Sequence, residues 1–173
     1  MTKRRFGIYH ELEVRGRTGE IEQQSFGETM DQIELADQLG YNSAWFVEHH
    51  FTRGFSHSSA PDLVLAAVAR STKNIRLGMG VSLLPFLSPI RVAERIGTLD
   101  VISGGRVEFG TGRGASPLEY QAFQRPFEKS REIWEDHLAA VEEIFAADGA
   151  EVTREGTYYK IPGVSILPRP VQK

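Results

Sequence analysis

The sequence has 173 residues with 40% hydrophobic and 25% charged side chains, enough for one globular domain with a sizeable core. Its net charge of -3 argues against nucleic acid or an anionic membrane surface as a partner. The absence of cysteine excludes disulfides, thiolate metal sites and a cysteine nucleophile. The N-terminus lacks the apolar run of a signal peptide, and no stretch approaches the roughly 20 apolar residues of a membrane span. A cytoplasmic protein is therefore expected.

Four short apolar runs, each followed by a segment with helical periodicity, succeed one another along the chain. The apolar runs, which predict strands, begin at Phe6, Ser43, Ile75 and Arg106. Apolar side chains at helical spacing predict helices over residues 28–40, 59–73, 88–105 and 130–149. The spacing of roughly 30 to 37 residues indicates repeated βα units. This pattern predicts a parallel sheet with right-handed crossovers.

The connections and the C-terminal segment complete the predicted order. A polar loop is expected between the first strand and about Ser25. After the fourth helix, residues 151–163 predict a β-hairpin with Gly156 near its turn, and a proline-rich extended segment follows. Four βα units fit either an open doubly wound sheet or the first half of a (β/α)8 barrel. The first βα turn has no G-x-G-x-x-G, so a Rossmann dinucleotide site is disfavoured.

Unusual polar clusters follow the ends of all four predicted strands. They are His10 and Glu11, Glu48 to His50, Ser82, and Gly110 to Gly114. In both architectures this end of the sheet binds ligands. Adjacent side chains on an extended segment point to opposite faces, so at most one of His49 and His50 faces a given site. A metal site needs three or four converging ligands, and this trio supplies about two, so no metal is predicted.

Two segments of the sequence resemble the bacterial luciferase-like flavin-dependent monooxygenases. They are "WFVEHHF", from Trp45, and "RLGMGVSLLPFLSPIRVAERIGTLDVISGGRVEFGTGRG", from Arg76. The resemblance continues through the fourth helix into "ILPRPVQK". It implies an α/β fold of the (β/α)8 TIM-barrel family, with this chain covering about the first four βα units plus the hairpin. We therefore expect residues 1–173 to form a single domain, the N-terminal half of such a barrel.

The same resemblance implies roles for particular residues. His49 matches a histidine near the flavin ring that assists oxygen chemistry, with Glu48 beside it in the catalytic motif, whereas the role implied for His50 is structural. Gly80 and Val81 match a cis peptide bond over which the flavin ring packs.

Three further residues are expected to bind the cofactor. Ser82 directly follows the Gly80–Val81 bond in the sequence. Arg113, preceded by Gly112, matches an arginine that contacts the flavin phosphate. Glycines there also leave the backbone open to an anion, and Arg113 supplies a planar charged fork.

The implied function is an enzyme that uses reduced FMN and dioxygen to oxygenate a small organic substrate, with deazaflavin as the alternative cofactor. A flavin reductase supplying reduced FMN and a homo- or hetero-oligomer are the implied partners. The chain ends at the approach to a fifth strand, so we expect it to be inactive and to self-associate when isolated. Two alternatives remain: a non-catalytic flavin-binding or dimerising remnant of the family, and an unrelated open α/β binding protein.

Overall fold

A computed structural model of the chain describes residues 4–16 and 18–172; Met1 to Lys3, Arg17 and Lys173 lie outside the described residues. The strands are Gly7–His10 (β1), Ser43–Phe46 (β2), Arg76–Leu83 (β3), Val107–Gly112 (β4), Glu151–Glu155 (β5) and Lys160–Ser165 (β6). The helices are Gly19–Gln38 (α1), Pro61–Ser71 (α2), Pro89–Ser103 (α3), Pro117–Ala122 (α4) and Ser130–Ala146 (α5).

The strands form the two sheets that the sequence predicts. The larger sheet has the order β1-β2-β3-β4, and β2 pairs in parallel with both β1 and β3. The smaller sheet is the antiparallel hairpin of β5 and β6, and Gly156 lies in the connection between them. Each of the four strands in the larger sheet begins within one residue of its expected start. The prediction of successive βα units and a hairpin is confirmed.

Two helices differ from the expectation. α1 begins at Gly19 rather than after Ser25. The Thr18 hydroxyl accepts a hydrogen bond from the Ile21 N–H (3.4 Å) and so caps the helix. Glu20 lies in the first turn, where its negative charge interacts favourably with the helix dipole. The predicted polar loop is therefore wrong over its second half. The second difference is α4, a six-residue helix that the sequence analysis did not predict.

The chain divides into two compact units. The first unit extends to Val81 and includes Arg106–Gly110, and the second comprises Ser82–Gly105 and the chain from Thr111. In the first unit, alternate residues of β2 and β3 are buried on one face of the sheet: Ala44, Phe46, Leu77 and Met79. α1 and α2 contribute further buried side chains, which include Ile33, Leu65 and Val68. Burying each large apolar side chain stabilises the unit by about 1.5–3 kcal/mol.

Trp45 lies on the other face of the same sheet. Its register partner on β3 is Gly78. A Cβ atom at Gly78 would lie 2.4 Å from ring carbons of Trp45, so any larger residue would displace the indole. The indole N–H donates a hydrogen bond to the Ser43 hydroxyl (3.0 Å). Gly78 therefore lets the ring lie directly against the strand.

In the second unit, the carboxylate of Asp136 on α5 accepts most of the hydrogen bonds that the β5–β6 hairpin donates to that helix. Asp136 accepts hydrogen bonds from the backbone N–H groups of Thr157, Tyr158 and Tyr159 at 2.9–3.1 Å. Its Oδ1 also accepts a bond from the Arg154 guanidinium (2.9 Å), and both charged side chains are largely buried. Each carboxylate oxygen thus accepts two hydrogen bonds. The apolar core of this unit is formed by Ala93, Ala140, Ile144, Val152, Ile161 and Ile166.

A buried histidine also lies on α5. The Nδ1 of His137 is 2.9 Å from the Leu84 carbonyl oxygen, and only 2% of the residue is exposed. A carbonyl can only accept, so Nδ1 carries the proton. Burial lowers the pKa of His137, and the hydrogen bond to Leu84 only partly offsets this effect. The imidazole is therefore neutral in the folded protein near pH 7.

Candidate active site

Glu48 and His50 form a pair at the end of β2 that is largely removed from solvent. The Glu48 Oε1 lies 3.2 Å from the His50 Nε2, and the side chains are 6% and 15% exposed. The resemblance implies a catalytic role for both Glu48 and His49. In the structure, the carboxylate of Glu48 contacts the other histidine of the motif.

His49 faces a different carboxylate. Its Nε2 lies 3.8 Å from the Oε2 of Glu11, and both side chains are more than one third exposed. The backbone of the residue is fixed by a hydrogen bond from its N–H to the Ser58 carbonyl (2.9 Å). The two adjacent histidines thus contact different partners, as their alternation on an extended segment predicts. A partly exposed imidazole beside a carboxylate is the arrangement of a general acid or base.

The sequence predicts that Glu11 lies at the ligand-binding end of the sheet, but it implies no role for this residue. It directly follows β1, whereas His49 follows β2, and the two strands pair in parallel. Because parallel neighbours end at the same edge of a sheet, the ends of β1 and β2 bring these side chains together. The strand order alone was the signal that could have identified the pair.

A cavity of about 580 Å³ opens beside His49 within the first unit. This volume lies within the range of small-molecule sites. Its walls include Phe26 from α1 together with Phe51, Arg53 and His57 from the segment after β2. That segment has neither helical nor strand periodicity, so its sequence alone predicts no function for it.

The peptide bond between Gly80 and Val81 is cis, as the resemblance implies. The Gly80 carbonyl accepts a hydrogen bond from the Tyr9 hydroxyl (2.9 Å). A Cβ atom at Gly80 would lie 3.4 Å from Trp45 and 3.5 Å from Tyr9. The backbone at this position is therefore flanked by two aromatic side chains, an environment that fits a planar apolar ring such as a flavin.

In the second unit, Arg113 follows β4 and its side chain is exposed. Its Nη1 donates a hydrogen bond to the hydroxyl of Ser130 (3.0 Å), the first residue of α5. Within the part of the chain that the structure describes, no side chain caps α5. The Ser130 N–H donates to the Phe127 carbonyl, and the positive end of the helix dipole lies at this residue. A guanidinium beside a helix N-terminus fits a phosphate group.

The other predicted residues of the second unit lie close to these in the sequence. Gly112 is the last residue of β4 and precedes Arg113 directly. Ser82 lies on β3 and is 4% exposed. No cluster of three or more histidine or carboxylate side chains suited to a metal ion occurs within residues 4–16 and 18–172.

Comparison with known proteins places the chain in a family. The sequence model of the luciferase-like monooxygenases matches residues 4–173. This chain belongs to that family. The luciferase-like fold is α/β and of the TIM-barrel type, which confirms the predicted fold class and excludes the unrelated binding protein. No helix of the described ranges is long and apolar enough to cross a membrane.

Relatives of this chain include proteins named as monooxygenases. The oxygenase component of flavin-dependent trigonelline monooxygenase from Acinetobacter baylyi is 28% identical over 98% of this chain and 46% of its own length. Monooxygenase RslO1 from Streptomyces bottropensis is 34% identical, with a TM-score of 0.91 over 98% of this chain and 51% of its own.

A third relative was solved with a bound flavin. The oxygenating constituent of 3,6-diketocamphane monooxygenase from Pseudomonas putida, in complex with FMN, is 28% identical. It matches with a TM-score of 0.82 over 92% of this chain and 43% of its own. This chain thus spans about half the length of these luciferase-like relatives.

Proposed function

We propose that this chain is part of a flavin-dependent monooxygenase that uses reduced FMN and dioxygen to oxygenate a small organic substrate. The observation that carries the proposal is the guanidinium of Arg113 beside the Ser130 hydroxyl at the N-terminus of α5. This donor set suits a phosphate dianion. Two relatives, one named as flavin-dependent and one solved with FMN, support the choice of cofactor. When bound, the reduced flavin would supply the electrons that activate dioxygen.

Particular residues would hold this cofactor. Arg113 would bind the phosphate through charge-assisted hydrogen bonds, and Gly112 would allow the backbone to approach it closely. Gly80, Val81 and Ser82 would pack against the ring. The hydrogen bond from Tyr9 to the Gly80 carbonyl would fix the backbone at that position.

The two histidines would act differently. His49 would hold or transfer a proton at its Nε2, beside Glu11, because its imidazole is accessible. Glu48 would contribute through His50, since its carboxylate contacts that half-buried ring. A largely buried, hydrogen-bonded pair orients the segment that carries His49, and this would keep the accessible imidazole in place.

The test of the phosphate site is a titration of the chain with FMN and with riboflavin, which lacks the phosphate. Arg113→Ala should weaken FMN binding by about 10-fold, a value at the lower end for a charged hydrogen bond because the side chain is exposed. Riboflavin binding should not change. Arg169→Ala, which removes an exposed arginine that is paired with Asp148 in the same unit, is the matched control. Unchanged FMN binding by Arg113→Ala would contradict the assignment, and equal loss of both flavins would indicate a folding defect.

The remaining parts of the proposal concern the complete protein. A flavin reductase would supply reduced FMN, and the single domain formed by residues 1–173 would be the N-terminal half of the barrel. A deazaflavin added to the same titration tests the alternative cofactor. Flavin binding without substrate oxidation by the complete protein would favour the non-catalytic remnant. The oligomeric state and the cytoplasmic location remain predictions from the sequence.

A further inference from the structure

The cavity beside His49 has a defined chemical character. Phe26 and Phe51 contribute aromatic surface to its wall. Phe51 has a φ of 62°, a left-handed conformation that is rare for a bulky residue and persists only where the surrounding structure enforces it. Its side chain is 57% exposed. The backbone therefore holds the aromatic ring at the wall of the cavity, with its centroid 5.9 Å from that of the His50 ring.

The charged groups of the cavity are unequally matched. The Oε1 of Glu22 lies 3.1 Å from the Nδ1 of His57, so this carboxylate has an imidazole partner. The guanidinium of Arg53, in contrast, makes no hydrogen bond or ion pair with any residue in the described ranges. The five N–H groups of this guanidinium therefore have no protein acceptor among the described residues and are able to donate to a bound anion.

We propose that this cavity binds a small aromatic carboxylate. Its ring would pack between Phe26 and Phe51, and its carboxylate would accept the paired N–H groups of Arg53, a geometry that the planar guanidinium favours. This placement would set the ligand beside His49. The inference rests on the proposed function, because it identifies such a molecule as the class of substrate that the monooxygenase oxygenates.

Binding of the carboxylate is tested by calorimetry without any flavin. The probes are benzoate and its uncharged analogue benzamide, titrated into the wild-type chain and into Arg53→Gln. We expect the wild type to bind benzoate about 10-fold more tightly than benzamide, and Arg53→Gln to abolish the difference. Arg70→Gln, an exposed arginine of α2 outside the cavity, should behave as the wild type. Phe26→Leu should weaken both probes by about 3-fold.

Two outcomes would overturn the proposal. One is a wild-type chain that does not distinguish benzoate from benzamide. The other is a loss of FMN affinity relative to riboflavin in Arg53→Gln, which would assign Arg53 to the flavin phosphate. If the assignment of Arg113 to the flavin phosphate is wrong, Arg113→Ala will leave FMN binding unchanged. The preference for benzoate over benzamide does not depend on that result, so the two proposals fail in different measurements.

Discussion

Two carboxylates, that of Asp136 on α5 in the second unit and that of Glu11 after β1 in the first unit, are used in opposite ways. Asp136 is 12% exposed, and both of its oxygens are saturated with hydrogen bonds. Glu11 is 38% exposed and lies 3.8 Å from its histidine, beyond hydrogen-bond distance. A saturated carboxylate has no capacity left for a ligand and holds the fold. The Oε2 of Glu11, in contrast, is buried without a hydrogen-bond partner among the described residues, so this carboxylate keeps the capacity to accept a bond.

Removal of the charge at Asp136 should lower the free energy of unfolding more than any other substitution considered below. Asp136→Asn replaces one acceptor oxygen by a donor that faces backbone N–H groups, and it removes one of the two carboxylates that pair with Arg154, the other being Glu143. We expect the free energy of unfolding to fall by about 2–4 kcal/mol. Urea denaturation, with hydrogen exchange of the β5 and β6 amides, measures the loss.

The stabilising contribution of Asp136 should also depend on pH. Burial raises the pKa of Asp136, but the hydrogen bonds from the Tyr158 N–H and from Arg154 outweigh it and hold the pKa below its usual value. Its contribution is therefore complete above about pH 4 and is lost as the pH falls through the folded pKa. Asp148→Asn, which alters an exposed ion pair with Arg169, should change stability by less than about 0.5 kcal/mol. Equal effects of the two variants would refute the contrast.

A smaller effect is expected within the E-H-H motif. Glu48→Gln removes a charge that contacts the half-buried ring of His50, and we expect the free energy of unfolding to fall by about 1–2 kcal/mol. Glu11→Gln is the matched control, because its partner His49 is accessible to solvent, and its effect should stay within about 0.5 kcal/mol. Thermal or urea unfolding of both variants decides the matter. A larger loss for Glu11→Gln would reverse the assignment of structural and accessible pairs.

The smallest effect concerns the titration of His137. Its folded pKa is below the ordinary value of about 6.5, so the unfolded chain takes up a proton first as the pH falls. The free energy of unfolding should therefore fall by up to about 1.4 kcal/mol per pH unit below pH 6.5 from this group alone. His137→Gln should reduce that slope between pH 6.5 and 5.5, whatever it does to the absolute stability. Parallel slopes for the two proteins would show that His137 does not titrate as inferred.

The parallel sheet could be predicted from the sequence because the patterns that indicate its strands and helices are local. Each strand is an apolar run with glycine or polar residues after it, and α2, α3 and α5 repeat apolar side chains at helical spacing. α1 was predicted too short because its first turns, from Gly19 to Ser25, are mostly polar, and the hydrogen bond from Ile21 to Thr18 rather than an apolar stripe sets its start. α4 is six residues long, too short for a periodic pattern to emerge.

The site was predicted less completely, since its contacts join distant parts of the chain. The motif identified His49, but the pairing with Glu11 depends on which strands are neighbours. The exposed Arg53 and the left-handed backbone of Phe51 lie in a segment without periodicity, where no local rule assigns a function. Likewise, the contact between Arg113 and Ser130 requires the position of α5. These features follow from tertiary structure and not from residue spacing.

The indole of Trp45 against Gly78 has a consequence for spectroscopy. Trp45 and Trp134 are the two tryptophans of the sequence, and each belongs to a different unit. Trp45 lies beside Gly80, where we propose that the flavin ring packs. Energy transfer to a flavin bound at this position would quench the emission of Trp45. With Trp134→Phe as the background, the native fluorescence of the chain would report cofactor occupancy without an added label.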